Sequence, residues 1–551
     1  MERNYLTDTS LTCAALVCSI GISLSFPSWS SLDGVAWNWG CLLLIVSCLT
    51  IVLTFHRIFC LHKKEFFFSK GELIGSILFC SLYVYLHYRG ISFYDSFKFL
   101  VALCLFGAFK QMQLFFDVDK VMYQMLITNA ILSLILGLIQ AVLSYQNING
   151  MQDSICQFSI SLTVGGIVAS HLYYTSQTKR NKFIFLSILL ACLGMLIISR
   201  SRLGVITFAI CTYRFMHKYI RAAFLTISIL ACIVLFQQKS ESTYGRIFIY
   251  STSIATLSSP QAVLLGLGAD GFGLSYMSTQ AQHLKGASNI ERYRADNIVH
   301  PLNEFLFLII NYGLISIVTI LLVVISILHQ KKTNRCKKSL LIAIILFAMF
   351  SYPFRFPITW LILIWCLYNE TYKGKWHFKE YYYISSFLGI TGLYLSLLHF
   401  HSIQQWSQAH NLRILGKMKP SWTIYEDIYK SSYFPSEFLY NYSSFLLQNG
   451  KSHHSLTILK RCRIKNYDTE LLKGDIYFSL QQYSAAIKHY KSASQMCPNR
   501  FIPLYAMYKS YGLANKKQLQ RDVAKSILTK QIKIYSPTIT NIINNVKQSN
   551  I

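Results

Sequence analysis

The chain has 551 residues, of which 53% are hydrophobic, 15% aromatic and only 14% charged, and its mean hydropathy is +0.37. Soluble globular chains carry about 25% charged residues, so an ordinary soluble enzyme is excluded and most of the chain belongs in a bilayer. The net charge of +29 falls largely beside apolar runs, the pattern of a membrane protein, and no nucleic-acid partner is expected.

A spanning helix takes about 20 apolar residues. Runs of that kind predict helices near 8–26, 36–55, 72–88, 93–110, 120–143, 156–175, 182–199, 203–216, 219–237, 303–329, 338–351, 356–369 and 381–399, about thirteen in all. The first, LTCAALVCSIGISLSF, has no small-residue cleavage site after it and reads as a spanning helix, not a signal peptide. Alternate loops carry the cations: Arg57, Lys63, Lys64 and Lys70; Lys110 and Lys120; Lys179, Arg180 and Lys182; Arg214, Lys218 and Arg221; Lys331, Lys332, Arg335, Lys337 and Lys338; Lys373, Lys375 and Lys379. The others hold only Arg89 and Lys98, Arg200 and Arg202, and Arg355. The positive-inside rule then puts the N-terminus in the cytoplasm, and places both the 238–302 loop and everything after residue 400 outside. Most of the 15 Cys lie in apolar runs and read as small hydrophobes. No spacing suggests a metal site, and Cys462 and Cys497 read as two buried free thiols, with a bridge between them the alternative.

Three polar stretches break the pattern on the expected outer side. SRSR, Ser199 to Arg202, sits at a helix junction. Its arginines either anchor at lipid headgroups or offer planar bidentate donors to phosphate. In the long loop, GRIFIYS holds Arg246, and GLGADGFG follows with Gly266, Gly268, Gly271 and Gly273. Those glycines either make a tight turn of positive φ or aim backbone N–H groups at an anion. Without a preceding strand they are not a dinucleotide fingerprint. Finally, NIVHPLNEFLFLIINYGLIS opens a helix with His300, Asn303 and Glu304. Asn303 and Glu304 either cap the helix, or His300 or Glu304 acts as a base.

In this order and topology, SRSRLG, GRIFIYS, GLGADGFG and NEFLFLIINYGLIS resemble the O-antigen ligase/O-antigen polymerase/bacterial O-oligosaccharyltransferase superfamily, closely over roughly residues 180–330. The resemblance implies an all-helical, C-type membrane glycosyltransferase in the bacterial inner membrane. It would transfer a glycan from an undecaprenyl-pyrophosphate carrier to the hydroxyl of a lipid or protein acceptor, at the periplasmic face, with no metal or cofactor. Arg200 corresponds to the family's outer-loop arginine and Arg246 to that of the long loop, with Arg202 a local extra. These would bind pyrophosphate, and Asn303 would help hold substrate. The family commonly has His-Asn before this helix, whereas this chain has Leu302-Asn303, which leaves His300 or Glu304 as the base. A glutamate often found later in the helix is Asn311 here and is assigned no role.

Residues 401–551 form a separate polar, helical tail with 21 Lys+Arg against 7 Asp+Glu, a net of +14. KGDIYFSLQQYSAAIKHYKSASQMCP places Gly474, Tyr477, Ala486, Tyr490, Ala493 and Pro498 at tetratricopeptide spacing, so a short tetratricopeptide-like array is expected, recruiting the acceptor or a protein partner. The organisation is therefore a multispanning domain, 1–400, and a periplasmic helical domain, 401–551. Ligase, polymerase and oligosaccharyltransferase chemistry remain open. A polysaccharide transporter or flippase is the rival class, and a membrane-anchored scaffold would leave the outer arginines unexplained.

Overall fold

The computed structural model describes residues 34–56, 66–113, 117–143, 154–215, 240–328, 334–368, 376–378 and 381–549, with isolated positions between 20 and 32, 145 and 152, and 221 and 234. Apart from such positions, the expected helices 8–26 and 219–237 lie outside the described residues. So do Arg57, Lys63, Lys64, Lys218, Lys331, Lys332, Lys373, Lys375 and Lys379.

The fold is helical. The membrane part contains α1 Gly34–His56, α2 Lys70–Tyr88, α3 Phe93–Met112, α4 Val118–Val142, α5 Ile155–Thr175, α6 Lys179–Ile198 and α7 Arg202–Thr212. The segment 238–302, expected as a long loop, folds into α8 Ser240–Ala255, α9 Pro260–Leu265, α10 Gly271–His283 and α11 Asn289–Arg294. Then come α12 Glu304–Leu328, α13 Arg335–Phe350, α14 Pro357–Leu367 and α15 Tyr381–Ile414. Among the described residues, six helices are long and apolar enough to cross a membrane: α1, α4, α5, α6, α12 and α15. The only strands described are Phe66–Phe68 and Trp376–Phe378, paired antiparallel.

Helix α5 is buried along most of its length. Its Gly165 and Gly166 permit this, since an added Cβ would lie 2.1 Å from the Ala130 side chain on α4 and 2.0 Å from the Phe208 ring on α7. Without a hydrophobic drive between helices in lipid, such close approach supplies the packing energy.

Among the described residues, helix ends are tied together in two sets. One set joins the strand pair to two buried ion pairs, Lys110 with Glu72 at 2.7 Å and Lys337 with Asp119 at 2.8 Å. Both ammonium groups also lie over the Tyr368 ring, which compensates charges withdrawn from water. The other set is tied by Trp39 Nε1 donating to the Arg355 carbonyl at 2.9 Å, Arg89 donating to the Gly266 carbonyl at 2.7 Å, and Cys156 Sγ meeting Ser351 Oγ at 2.8 Å. His399 Nε2 and the Ala36 carbonyl, 2.8 Å apart, belong to this set too.

Helix α15 does not stop near residue 399. It runs on unbroken to Ile414, carrying Trp406 and Ala409 into the tail core, and the chain turns at Gly416 with φ +74°. The tail continues as α16 Met418–Ser431, α17 Ser436–Gln448, α18 Ser452–Arg461, α19 Tyr467–Ser479, α20 Tyr483–Met496, α21 Ile502–Leu513, α22 Lys517–Thr529 and α23 Pro537–Gln548. From α17 onward each helix packs on the next. Gly474 on α19 admits the Tyr490 ring of α20, whose hydroxyl donates to Asp475 at 2.8 Å. Cys462 and Cys497 are unbridged.

The tail docks on the chain's own 271–302 segment. Gln280 Nε2 donates to the Met496 carbonyl at 2.7 Å, Asn297 Nδ2 to Asp468 at 2.7 Å, and the Lys465 N–H to the Gly273 carbonyl at 2.9 Å. Arg500 pairs with Asp296 at 2.6 Å. Phe272, Tyr276 and Met277 share a core with Tyr467, Ala493 and Met496.

Inside the tail, Glu470 is 3% exposed and accepts from His489 Nδ1 at 2.9 Å and Lys473 Nζ at 3.1 Å. Burial opposes its ionisation, but these two partners overcome that and hold the carboxyl at about 2. A depressed carboxylate stabilises the fold above its unfolded value of 4.5, and that contribution is lost as pH falls through the folded value. Melting of the tail should therefore drop between about pH 4.5 and 2, by an amount worth roughly 3 kcal/mol. Glu470→Gln should remove most of this acid dependence in circular-dichroism melts. An unchanged profile would show that other carboxylates control it.

Candidate functional site at the mouth of α12

Pro301 and Leu302 lead into α12, with Leu302 in the left-handed region at φ +55°. Asn303 is the cap: its Oδ1 accepts the Leu306 N–H at 2.9 Å and its carbonyl takes the Phe307 N–H at 3.0 Å. Glu304 does something else. Its carboxylate, 4% exposed, leaves its own helix and accepts the Phe354 N–H at 2.9 Å from the turn between α13 and α14.

His300 faces it. The Leu302 N–H donates to His300 Nδ1 at 3.0 Å, so the neutral ring carries its proton on Nε2, which stands 3.6 Å from Glu304 Oε2. The ring stacks on Phe307 at 4.7 Å, with Tyr352 at 5.4 Å. The two groups that the sequence offers as alternatives thus form one dyad.

The arginines approach from α7 and α8. Arg200 occupies the exposed apex of the SRSR turn at φ +55°, while Ser201 caps α7 by accepting the Gly204 N–H at 3.3 Å. Arg202 Nη1 donates to Thr243 at 3.2 Å, near the start of α8. Arg246, one turn along α8, donates to the Phe350 carbonyl and hydrogen-bonds Tyr250. The Arg202 and Arg246 guanidinium groups are close enough to feel each other's charge. Tyr250 in turn donates to the Leu302 carbonyl at 3.2 Å. Arg202, Arg246, His300 and Glu304 therefore meet in one region, with Arg200 at its edge.

A cavity of about 590 Å³ opens beside the dyad. Its depth is apolar, lined by side chains such as Leu82, Leu308, Ile320, Val324 and Leu363. Its polar end holds His300, Glu304 and Arg355, and then Asp95, Lys98, Asp270, Glu437 and Arg463. Arg200, Arg202 and Arg246 lie outside the lining; Arg355 is the arginine that faces the cavity beside the dyad. Sequence reasoning gave Arg355 no role, although it too stands against the charge trend of its short loop.

The glycine turn is a brace. The N–H groups of Leu267 and Gly268 donate to the Ile310 and Asn311 carbonyls at 2.7 and 2.9 Å, that of Ala269 to the Arg89 carbonyl at 3.1 Å, and that of Phe272 to Asn311 Oδ1 at 2.8 Å. These donors are spent inside the protein, which supports the tight-turn account. What they brace is a break in α12 at Gly313, φ +74° and ψ 179°. Tyr85 Oη donates to the Tyr312 carbonyl at 2.7 Å there. Among the described residues, no three His, Cys, Asp or Glu are grouped to hold a metal ion.

Compared with protein-family models and with curated proteins, the sequence matches none.

Proposed function

We propose that the protein is a lipid-carrier-dependent glycosyltransferase of the O-antigen ligase or O-oligosaccharyltransferase kind. In this reading it crosses a bacterial inner membrane about thirteen times and holds a tetratricopeptide-like tail in the periplasm. The observation that carries the proposal is the meeting of a half-buried His300 and a buried Glu304, flanking arginines and a cavity that is polar at one end and apolar through its depth. An undecaprenyl-pyrophosphate glycan has that same division: a long hydrocarbon tail, a doubly charged leaving group and a saccharide. Arg246, Arg202 and Arg355 would stabilise the charge that grows on the pyrophosphate as the glycosidic bond breaks. Glu304 would take the proton of the acceptor hydroxyl through Oε2, with His300 Nε2–H positioning that oxygen. His300 Nδ1 is committed to the Leu302 N–H and Nε2 carries the ring proton, so the neutral imidazole has no free lone pair to offer the hydroxyl.

Deletion of the gene should abolish attachment of one surface or protein-linked glycan. Glu304→Gln should fail to restore it, with a loss of about 10²–10⁴ in rate. His300→Ala should cost less. Normal glycan in the Glu304→Gln strain would reduce Glu304 to a structural tie to Phe354. For the topology, alkaline phosphatase fused after residue 549 should be active and fused within 331–338 inactive; the reverse would overturn the periplasmic tail.

The break in α12 favours a second reading, since discontinuous helices are used by transporters. A polysaccharide transporter or flippase would leave carrier-linked glycan stranded on the cytoplasmic face in the deletion strain. A transferase would leave it on the outer face, and a polymerase would leave single repeat units attached to the surface.

A further inference from the structure

The polar end of the cavity has two unlike poles. Beside the dyad the lining holds one arginine, Arg355, and one acid, Glu304, while Arg202 and Arg246 stand outside the lining. At the tail side, the lining holds three carboxylates, Asp95, Asp270 and Glu437, with Lys98 and Arg463. Arg463 reaches Asp270 at 3.3 Å and Lys98 reaches Asp95 at 3.6 Å. A pyrophosphate suits the first pole and is repelled by the second.

Asn311 points to what the second pole takes. It is 1% exposed and lines the cavity. Its Oδ1 is fixed by the Phe272 N–H, which directs Nδ2 the other way, and Nδ2 has no partner within the protein. A buried amide donor left unpaired is costly. Asn311 lies seven residues beyond Glu304 on α12, hence on the same face and about 10.5 Å deeper. Asp270 adjoins it: the intervening Gly271 is so close that an added Cβ would sit 3.3 Å from Asn311 Oδ1. Asp270 also begins α10 without spending its carboxylate on a cap. One uncharged amide donor, one carboxylate acceptor and one guanidinium donor, grouped on a partly apolar wall, are the groups that bind a polyhydroxylated ring.

We infer that Asn311, Asp270 and the tail's Arg463 form a saccharide subsite, which takes a neutral sugar of the glycan away from the arginine pole. This rests on the glycosyltransferase reading and adds that the tail contributes a ligand-binding residue. Asn311 Nδ2 donates to a sugar oxygen, and Asp270 accepts from a sugar hydroxyl.

The probe is the host's own carrier glycan, freed from its pyrophosphate by mild acid, titrated against the purified full-length protein in nanodiscs. Wild type should bind it, and inorganic pyrophosphate should not compete. Asn311→Asp keeps the acceptor for the Phe272 N–H but loses the donor, and should weaken binding about tenfold or more. Asp270→Asn and Arg463→Ala should weaken it similarly, with melting and elution unchanged. Arg246→Ala should bind the glycan as wild type does. Wild-type affinity in all three subsite variants, or no glycan binding by wild type, would overturn the subsite. If instead the subsite variants behave as expected but deletion of the gene leaves every surface and protein-linked glycan attached, the subsite stands and the transferase reading falls.

Discussion

Arg246→Ala should reduce glycan transfer by about 10²–10³, the loss seen when one charge-assisted contact to a developing negative charge is removed. Arg246 is the arginine best placed for this among those named from the sequence. It sits on α8, within reach of Tyr250 and the Phe350 carbonyl, and its charge is felt by Arg202 and by Tyr352 beside the dyad. Losing its bond to the Phe350 carbonyl should cost only about 1 kcal/mol of stability, so membrane levels should hold while transfer collapses. Arg246→Lys keeps the charge without the planar fork and should recover a fraction of the activity. Arg355→Ala should be comparably damaging, because Arg355 lines the cavity itself. Unaltered transfer in Arg246→Ala membranes, quantified by glycan immunoblot against protein level, would leave that residue an anchor for α8.

Gly313→Ala should destabilise the protein more than any other single methyl addition in α12. The residue has φ +74° and ψ 179°, a region open essentially to glycine alone, and such strain costs about 1–3 kcal/mol. The added Cβ would also fall 2.1 Å from the Leu264 carbonyl oxygen on the facing α9, a backbone atom that cannot swing aside. Gly266→Ala should behave alike, with φ +73° and a Cβ 2.5 Å from the Asn311 and Tyr312 backbone. Gly286→Ala has nothing within 4 Å of its Cβ and serves as the control. Thermal melts of the three purified variants decide it: a Gly313→Ala midpoint equal to that of Gly286→Ala would mean that the break is not held by this contact.

Much of the membrane part is legible because hydropathy is a local signal. The run expected at 36–55 forms Gly34–His56, that at 120–143 forms Val118–Val142, and that at 182–199 forms Lys179–Ile198. The break in α12 escapes because a lone glycine between Tyr312 and Leu314 leaves the apolar run intact, and what forces φ positive is a turn some 45 residues earlier. The 238–302 helices escape because they are short and bury their apolar faces on partners distant in the chain: α9 on α12, and α10 on the tail about two hundred residues away. The end of α15 is misjudged because hydropathy falls near His399 while helical propensity does not: Gln404, Gln405, Ala409, Leu412 and Arg413 all favour a helix. At the site, Asn303 is recognisable as a cap from its neighbours alone. The His300–Glu304 pairing is compatible with their i, i+4 spacing, yet the Phe354 N–H that fixes Glu304 comes from a turn that no local pattern connects to it.

The unbroken α15 makes angular phase a property of the whole molecule. Its 34 residues measure about 51 Å, against roughly 30 Å of hydrocarbon, so the tail rides on a stiff shaft and not on a tether. One residue inserted between Leu397 and Trp406 would turn the tail through about 100° and advance it about 1.5 Å, swinging Arg500 away from Asp296 and Arg463 away from Asp270. Seven inserted residues would nearly restore the angle but raise the tail about 10.5 Å, so those pairs would face each other across a gap. Shaft length and shaft phase are thus set together by the cavity rim that the tail completes, and neither can drift alone without opening it.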